Sequence, residues 1–157
     1  MKRLLFVCSG NTCRSPMARG ILLKYISESM EEGYFQEYEI ISAGLYTVDG
    51  LPAASEALKA MSLEGIDISS HRSQQVNKDL IWQVDLVLTM TRAQCRESWE
   101  RFPEKKDKIF SIGEFIGDKS KDIKDPFGRG EEAYIESCQE LKVVLHQVMM
   151  RLLGEKN

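Results

Sequence analysis

Apolar positions along this chain follow two rhythms. Residues 2 to 7 (KRLLFV) are a short run that ends where polar residues begin, the pattern of a buried strand. From residue 15 the period lengthens. Met17, Ile21 and Tyr25 recur every four residues, predicting a helix with Ser15 as its N-cap and Pro16 in the first helical position. YEIISAG (38–44) reads as a second strand stopped by Gly44, and PAASEALKAMSLEG (52–65) as a helix with Pro at its start and Gly at its end. VDLVLTM (84–90) is the clearest buried strand and KIFSI (108–112) a fourth, with helices over NKDLIWQ (77–83) and TRAQCRESWERF (91–102) flanking them. In the closing stretch Tyr134, Cys138, Leu141, Leu145, Val148 and Leu152 alternate steps of four and three, one face of a long helix.

Strands alternating with helices predict an α/β fold: a three-layer, doubly wound domain with a four-stranded parallel sheet and helices on both faces. Residues 1–157 are expected to form one domain, long enough to bury about two thirds of the unfolded surface. In such sheets ligands bind outside the carboxyl ends of the strands. The stretch after the first strand lies there, as does SAG (42–44) after the second.

Composition narrows the function. With 43% hydrophobic and 29% charged residues the chain has an ordinary globular balance, and its formal charge of −3 argues against a nucleic-acid partner. No apolar stretch approaches the roughly 20 residues of a membrane helix, and Leu4 to Val7 are too short for a secretory signal, so neither membrane association nor export is expected. The four cysteines (Cys8, Cys13, Cys95, Cys138) form no C-x-x-C pair and stand apart from both histidines. A disulfide scaffold or a metal site is therefore not expected, and cysteine usage points to the cytosol.

The chemistry concentrates in LLFVCSGNTCRSPMARG (4–20). Five residues separate Cys8, at the end of the first strand, from Arg14, at the start of a helix. Gly10 and Asn11 are the residue types that best tolerate positive φ, so Ser9, Gly10, Asn11, Thr12 and Cys13 can curl with successive N–H groups pointing inward as an anion nest. The helix adds its free N–H groups and positive dipole end. A dianionic phosphoryl group fits there, with Arg14 clamping two oxygens and Cys8 favoured as a thiolate facing the phosphorus. The Ser15 hydroxyl is placed to donate to Cys8 when it departs. A leaving group needs a proton, and Asp125 of DPFG (125–128), within a polar loop from Gly113 to Gly130, is the candidate acid. Phe127 is placed to wall the adjacent pocket.

VCSGNTCRSPMA, SAG and the late DPFG resemble the low-molecular-weight protein tyrosine phosphatases, over nearly the whole chain and in order. The resemblance implies phosphocysteine catalysis on this fold without metal or organic cofactor. It implies Cys8 as nucleophile, Arg14 as phosphate clamp and Asp125 as general acid and later base. Asn11, Ser42 and His71 match the hydrogen-bonded set that supports the loop. Cys13 matches a neighbour with which family members can oxidise their nucleophile to a disulfide.

Thr12 departs from the tyrosine-specific pattern, where Ile or Leu is usual, and resembles the branch that hydrolyses phosphoarginine in proteins. A phenol leaving group suits an apolar slot, whereas a phosphoguanidinium presents N–H groups that a Thr hydroxyl and an Asp carboxylate can accept. Phe127, where many tyrosine-specific members have Tyr, fits the same branch, and Tyr46 is placed to wall the pocket. Arg19 stands where relatives often have Glu, which predicts a more positive rim. The expected partners are phosphorylated proteins, with phosphoarginine preferred and phosphotyrosine as the alternative. Arsenate reduction is a lesser alternative, because Cys95 and Cys138 do not form the downstream pair it needs.

Overall fold

The computed structural model describes residues 1–29 and 37–154. Strand β1 (Lys2–Cys8) leads into helix α1 (Arg14–Ser29), followed by β2 (Tyr38–Gly44), α2 (Ser55–Leu63), α3 (Lys78–Gln83), β3 (Leu86–Thr89) and α4 (Arg92–Arg101). A 3-10 turn (Pro103–Lys108), β4 (Ile109–Ser111), the short α5 (Ile112–Phe115) and the long α6 (Glu131–Gly154) complete the described chain. All strand pairs are parallel, in the order β2-β1-β3-β4.

β1 shows why the sheet carries helices on both faces. Successive side chains of a strand point to opposite sides. Leu4, Phe6 and Cys8 enter the core shared with Met17 and Ile21 of α1, Met61 of α2 and Leu141, Leu145 and Val148 of α6. Leu5 and Val7 enter a second core with Ile81 of α3, Cys95 of α4 and Ile109. A strand segment buried on both faces must be apolar, and this one is from Leu4 to Cys8, after Lys2 and Arg3 at its open end. Strand order reverses at β1, which has β2 on one side and β3 on the other, and Cys8 ends that strand.

Element boundaries are set by local chemistry. Asn77 caps α3 by accepting from the Leu80 N–H, and Thr91 and Gln94 form a reciprocal capping box on α4. Gly65, at φ 71°, lets the chain leave α2. Three expectations are corrected. Helix α1 starts at Arg14, and the Met17 N–H bonds the Cys13 carbonyl, so Ser15 is a first-turn residue and not the N-cap. Pro16 is tolerated because that turn needs no N–H from it, while the Ser15 hydroxyl is engaged elsewhere. α2 is shorter than residues 52–65, with Pro52 three residues ahead of it. The polar loop from Gly113 is helical at its start, because Ser111 caps α5 by accepting from the Glu114 N–H. Among the described residues, no helix is long and apolar enough to cross a membrane.

Candidate active site

The loop from Cys8 to Arg14 wraps a cleft of about 260 Å³ at the carboxyl end of β1. Cys8, Ser9, Gly10, Asn11, Thr12, Cys13 and Arg14 line it from below, with Tyr46, Asp125 and Phe127 at the mouth. Every residue expected at a ligand surface is therefore there except Ser15, which lies beneath the thiol. The Cys8 Sγ stands 2.9 Å from the Ser15 Oγ and accepts the Asn11 backbone N–H at 3.3 Å.

Asn11 is the keystone of the loop. It is the one non-glycine residue with positive φ among the described residues, at 56°, and it is fully buried. Gly10 does not share that conformation, so of the two candidates for a left-handed turn only Asn11 takes it. The Asn11 amide donates to the Ser15 Oγ at 2.8 Å and to the Ser42 Oγ at 3.0 Å. Its Oδ1 accepts the Gln74 backbone N–H at 2.9 Å, which fixes the orientation of the amide. Its carbonyl accepts from the His71 Nε2 at 2.7 Å, so that nitrogen carries the proton. Burial lowers the His71 pKa, and the nearby Arg19 and Arg72 add to this against the Asn11 bond. Ser42 and His71 thus hold Asn11 and do not line the cleft.

Gly44 lets the end of β2 approach this loop. A Cβ there would stand 2.8 Å from the Ser9 carbonyl oxygen and 3.0 Å from the Asn11 Cβ. The Leu45 and Tyr46 N–H groups donate to the Cys8 and Ser9 carbonyls at 3.0 and 2.9 Å, continuing the contact.

Arg14 is buried, and its Nη1 donates to the Ile123 carbonyl at 2.9 Å. Its Nη2 lies 3.6 Å from the Asp125 Oδ2, and the Asp125 Oδ1 accepts the Phe127 N–H at 3.0 Å. Asp125 itself is half exposed at the mouth, where a leaving group would emerge. A pinned guanidinium, a thiol at the base and a carboxyl at the mouth can hold a tetrahedral oxyanion over sulfur and supply a proton opposite it.

Cys13 lies to one side, its Sγ 3.2 Å from the Tyr134 hydroxyl and 3.7 Å from the Thr12 Oγ1. Burial raises the pKa of both Cys13 and Tyr134, so both are neutral at neutral pH. Arg19 corrects an expectation. Its Nε donates to the Ile40 carbonyl at 2.7 Å and it borders a separate groove with Lys24 and His71, so it adds no charge to the cleft rim. Cys95 and Cys138 lie in the cores on opposite faces of the sheet and cannot act as a relay pair. Among the described residues, no group of three or more His, Cys, Asp or Glu side chains is arranged to hold a metal ion.

Sequence reasoning missed Gln74, Gln94 and Ile123. Ile123 acts through its carbonyl and Gln74 first through its N–H, which no side-chain pattern announces, although the Gln74 amide also donates to the Ser42 carbonyl at 3.0 Å. Gln94, read only as part of a helix, is buried and donates to the Ser9 Oγ at 3.2 Å while its own oxygen accepts the Met90 and Thr91 N–H groups.

Comparison with known proteins agrees with this geometry. Residues 3–157 match the family described as low molecular weight phosphotyrosine protein phosphatase, and the chain belongs to that family. A protein-arginine-phosphatase of Geobacillus stearothermophilus is 37% identical over 154 residues, 98% of each chain. The crystal structure of a low molecular weight protein tyrosine phosphatase from T. tengcongensis superposes with a TM-score of 0.87 at 38% identity, covering 96% of this chain and 99% of that one. An arginine phosphatase mutant with serine for cysteine and a phosphorylated active-site serine superposes with a TM-score of 0.84 at 31% identity, covering 96% and 95%.

Proposed function

We propose that this chain, acting as one catalytic domain in the cytosol, hydrolyses phosphoarginine on proteins through a phosphocysteine intermediate. The Cys8 thiolate attacks phosphorus in line as the bond to the guanidino nitrogen breaks. Asp125 gives that nitrogen its proton, so the phosphoguanidinium leaves as the ordinary arginine guanidinium. Arg14 and the loop N–H groups of residues 9–13 hold the equatorial oxygens. In the second step Asp125, now a carboxylate, takes a proton from water. That water attacks the phosphocysteine, and the Ser15 hydroxyl donates to the departing sulfur. The serine phosphorylated in the related arginine phosphatase supports attack at the position Cys8 matches.

The observation that carries the substrate class is Thr12 in the cleft lining together with Asp125. A hydroxyl and a carboxyl can accept the N–H groups of a phosphoguanidinium, and a site built to hydrogen-bond rejects a substrate that leaves those groups unpaired. The Geobacillus relative named for arginine supports the same choice. Hydrolysis of phosphotyrosine is the second reading, favoured by the exposed rings of Tyr46 and Phe127 at the mouth. Steady-state assays on phosphoarginine and phosphotyrosine peptides, with wild type and Thr12→Ile, separate the two. The expected result is a wild-type preference for phosphoarginine that Thr12→Ile reverses. A phosphotyrosine preference in both proteins overturns the arginine reading.

A further inference from the structure

Tyr46 is 65% exposed, yet its side chain is held at its hydroxyl and on one ring face. Its hydroxyl donates to the Glu97 Oε1, and the Arg101 guanidinium lies over its ring, 4.6 Å from the centroid. Arg101 also pairs with the Glu97 Oε2 at 2.7 Å and donates to the Leu45 carbonyl at 3.0 Å. The Tyr46 backbone is already tied to the Ser9 carbonyl. Side-chain rotation is its one remaining freedom, and these contacts oppose it.

Glu97 and Arg101 come from α4, which contributes nothing to the lining of the cleft. Gln94, Glu97 and Arg101 follow one another at steps of three and four, so they share one helical face. The buried Gln94 amide ties that face to Ser9 of the phosphate loop. The helix is thereby registered on the loop through Gln94 and on the cleft mouth through Glu97 and Arg101. A carboxylate acceptor and a stacked guanidinium are both stronger than neutral contacts at an exposed site.

We infer that Glu97 and Arg101 are positioning residues that set Tyr46 as a rigid wall for the substrate side chain. This rests on the reading that phosphorylated side chains enter this cleft. A planar guanidinium or phenol entering between Tyr46 and Phe127 finds one ring already fixed. Ordering a free tyrosine on binding would cost roughly 0.5–1.5 kcal/mol, equivalent to about a two- to tenfold change in affinity. The arrangement acts on substrate binding and not on the phosphoryl group.

The test compares wild type, Glu97→Leu, Glu97→Gln and the Glu97→Leu/Tyr46→Phe double variant on one phosphopeptide, whichever residue wild type hydrolyses better. Competition by inorganic phosphate reads the loop alone, and NMR relaxation of labelled tyrosine rings reads the wall without turnover. Glu97→Leu is expected to mobilise the Tyr46 ring and raise KM about two- to tenfold. The loss should fall on KM and not on kcat, with phosphate competition unmoved. Glu97→Gln keeps an acceptor and should restore most of KM, and the double variant should be no worse than Glu97→Leu. A mobile Tyr46 ring in wild type, an unchanged KM in Glu97→Leu, or a loss confined to kcat and phosphate competition overturns the inference. A wild-type preference for phosphotyrosine overturns the arginine reading instead, and the wall is then supported or overturned by the KM shift on that peptide.

Discussion

Asn11 commits its backbone N–H, its carbonyl and both ends of its amide to Cys8, His71, Gln74, Ser15 and Ser42. Two separable properties make it fit the position: a side chain that satisfies buried partners and a backbone that accepts φ 56°. Substitution can part them. Asn11→Ala leaves the Gln74 N–H and two serine hydroxyls short of a partner and keeps a Cβ in the left-handed region without the polar side chain that makes Asn tolerant of it, so urea unfolding should register a loss of about 3 kcal/mol. Asn11→Gly lacks the same amide but not the conformational freedom, and should recover about 1 kcal/mol of that loss. Equal losses would show that the backbone is unstrained. At this scale the sequence was legible in part. Cys8, Arg14 and Asp125 are residue types whose chemistry shows in the sequence, and all three line the cleft. Ser42 and His71 face Asn11 instead, and only resemblance to a family singled them out.

Elements were more legible than side-chain roles, because each buried face imposes its own period. β1 and α6 stand where the pattern put them, the first buried on both faces and the second striped by Tyr134, Cys138, Leu141, Leu145, Val148 and Leu152. α5 escaped notice because four residues make barely one turn and carry no periodicity. The start of α1 was placed late because Ser-Pro is an ordinary helix entry, whereas here the serine hydroxyl is engaged by Cys8 and Asn11. The end of β2 is where element and site meet. Gly44→Ala would force a Cβ against the Ser9 carbonyl oxygen at 2.8 Å, a backbone atom that cannot rotate away. Relief requires β2 and the phosphate loop to part. The expected outcome is a stability loss of about 1–3 kcal/mol together with weaker inhibition by inorganic phosphate. A stability loss with phosphate affinity intact would mean that the strain is absorbed in β2 and that the loop keeps its shape.

Over the whole molecule, burial of titratable groups sets a window of pH within which the fold is most stable. His71 has a depressed pKa, caused first by its burial and set against an ordinary value of 6.5. Below about that pH the unfolded chain binds a proton that the folded chain refuses, so stability is lost as pH falls from 6.5 toward the lower folded value. The thiols set the other edge. Burial pushes Cys95 and Cys138 up from 9.0 to about 11, and Cys13 rises as well. Between pH 9 and 11 the unfolded chain has released these protons while the folded chain keeps them, so stability falls as pH rises. Lys108, lowered by its own burial, opposes this as a single group. Urea midpoints measured from pH 5 to 11 should therefore plateau between roughly 6.5 and 9 and decline on both sides. Each edge has a separate cause and can be moved alone. His71→Gln, which keeps a donor for the Asn11 carbonyl, should flatten the acid decline between pH 6.5 and 5. Cys95→Val with Cys138→Val should shallow the alkaline decline and leave the acid side as it is. An alkaline slope that survives loss of both thiols would assign it to the other groups raised in the fold: Cys13, Tyr134 and Tyr25 by burial, and Lys142 and Lys59 by their hydrogen bonds to Glu64 and Glu131.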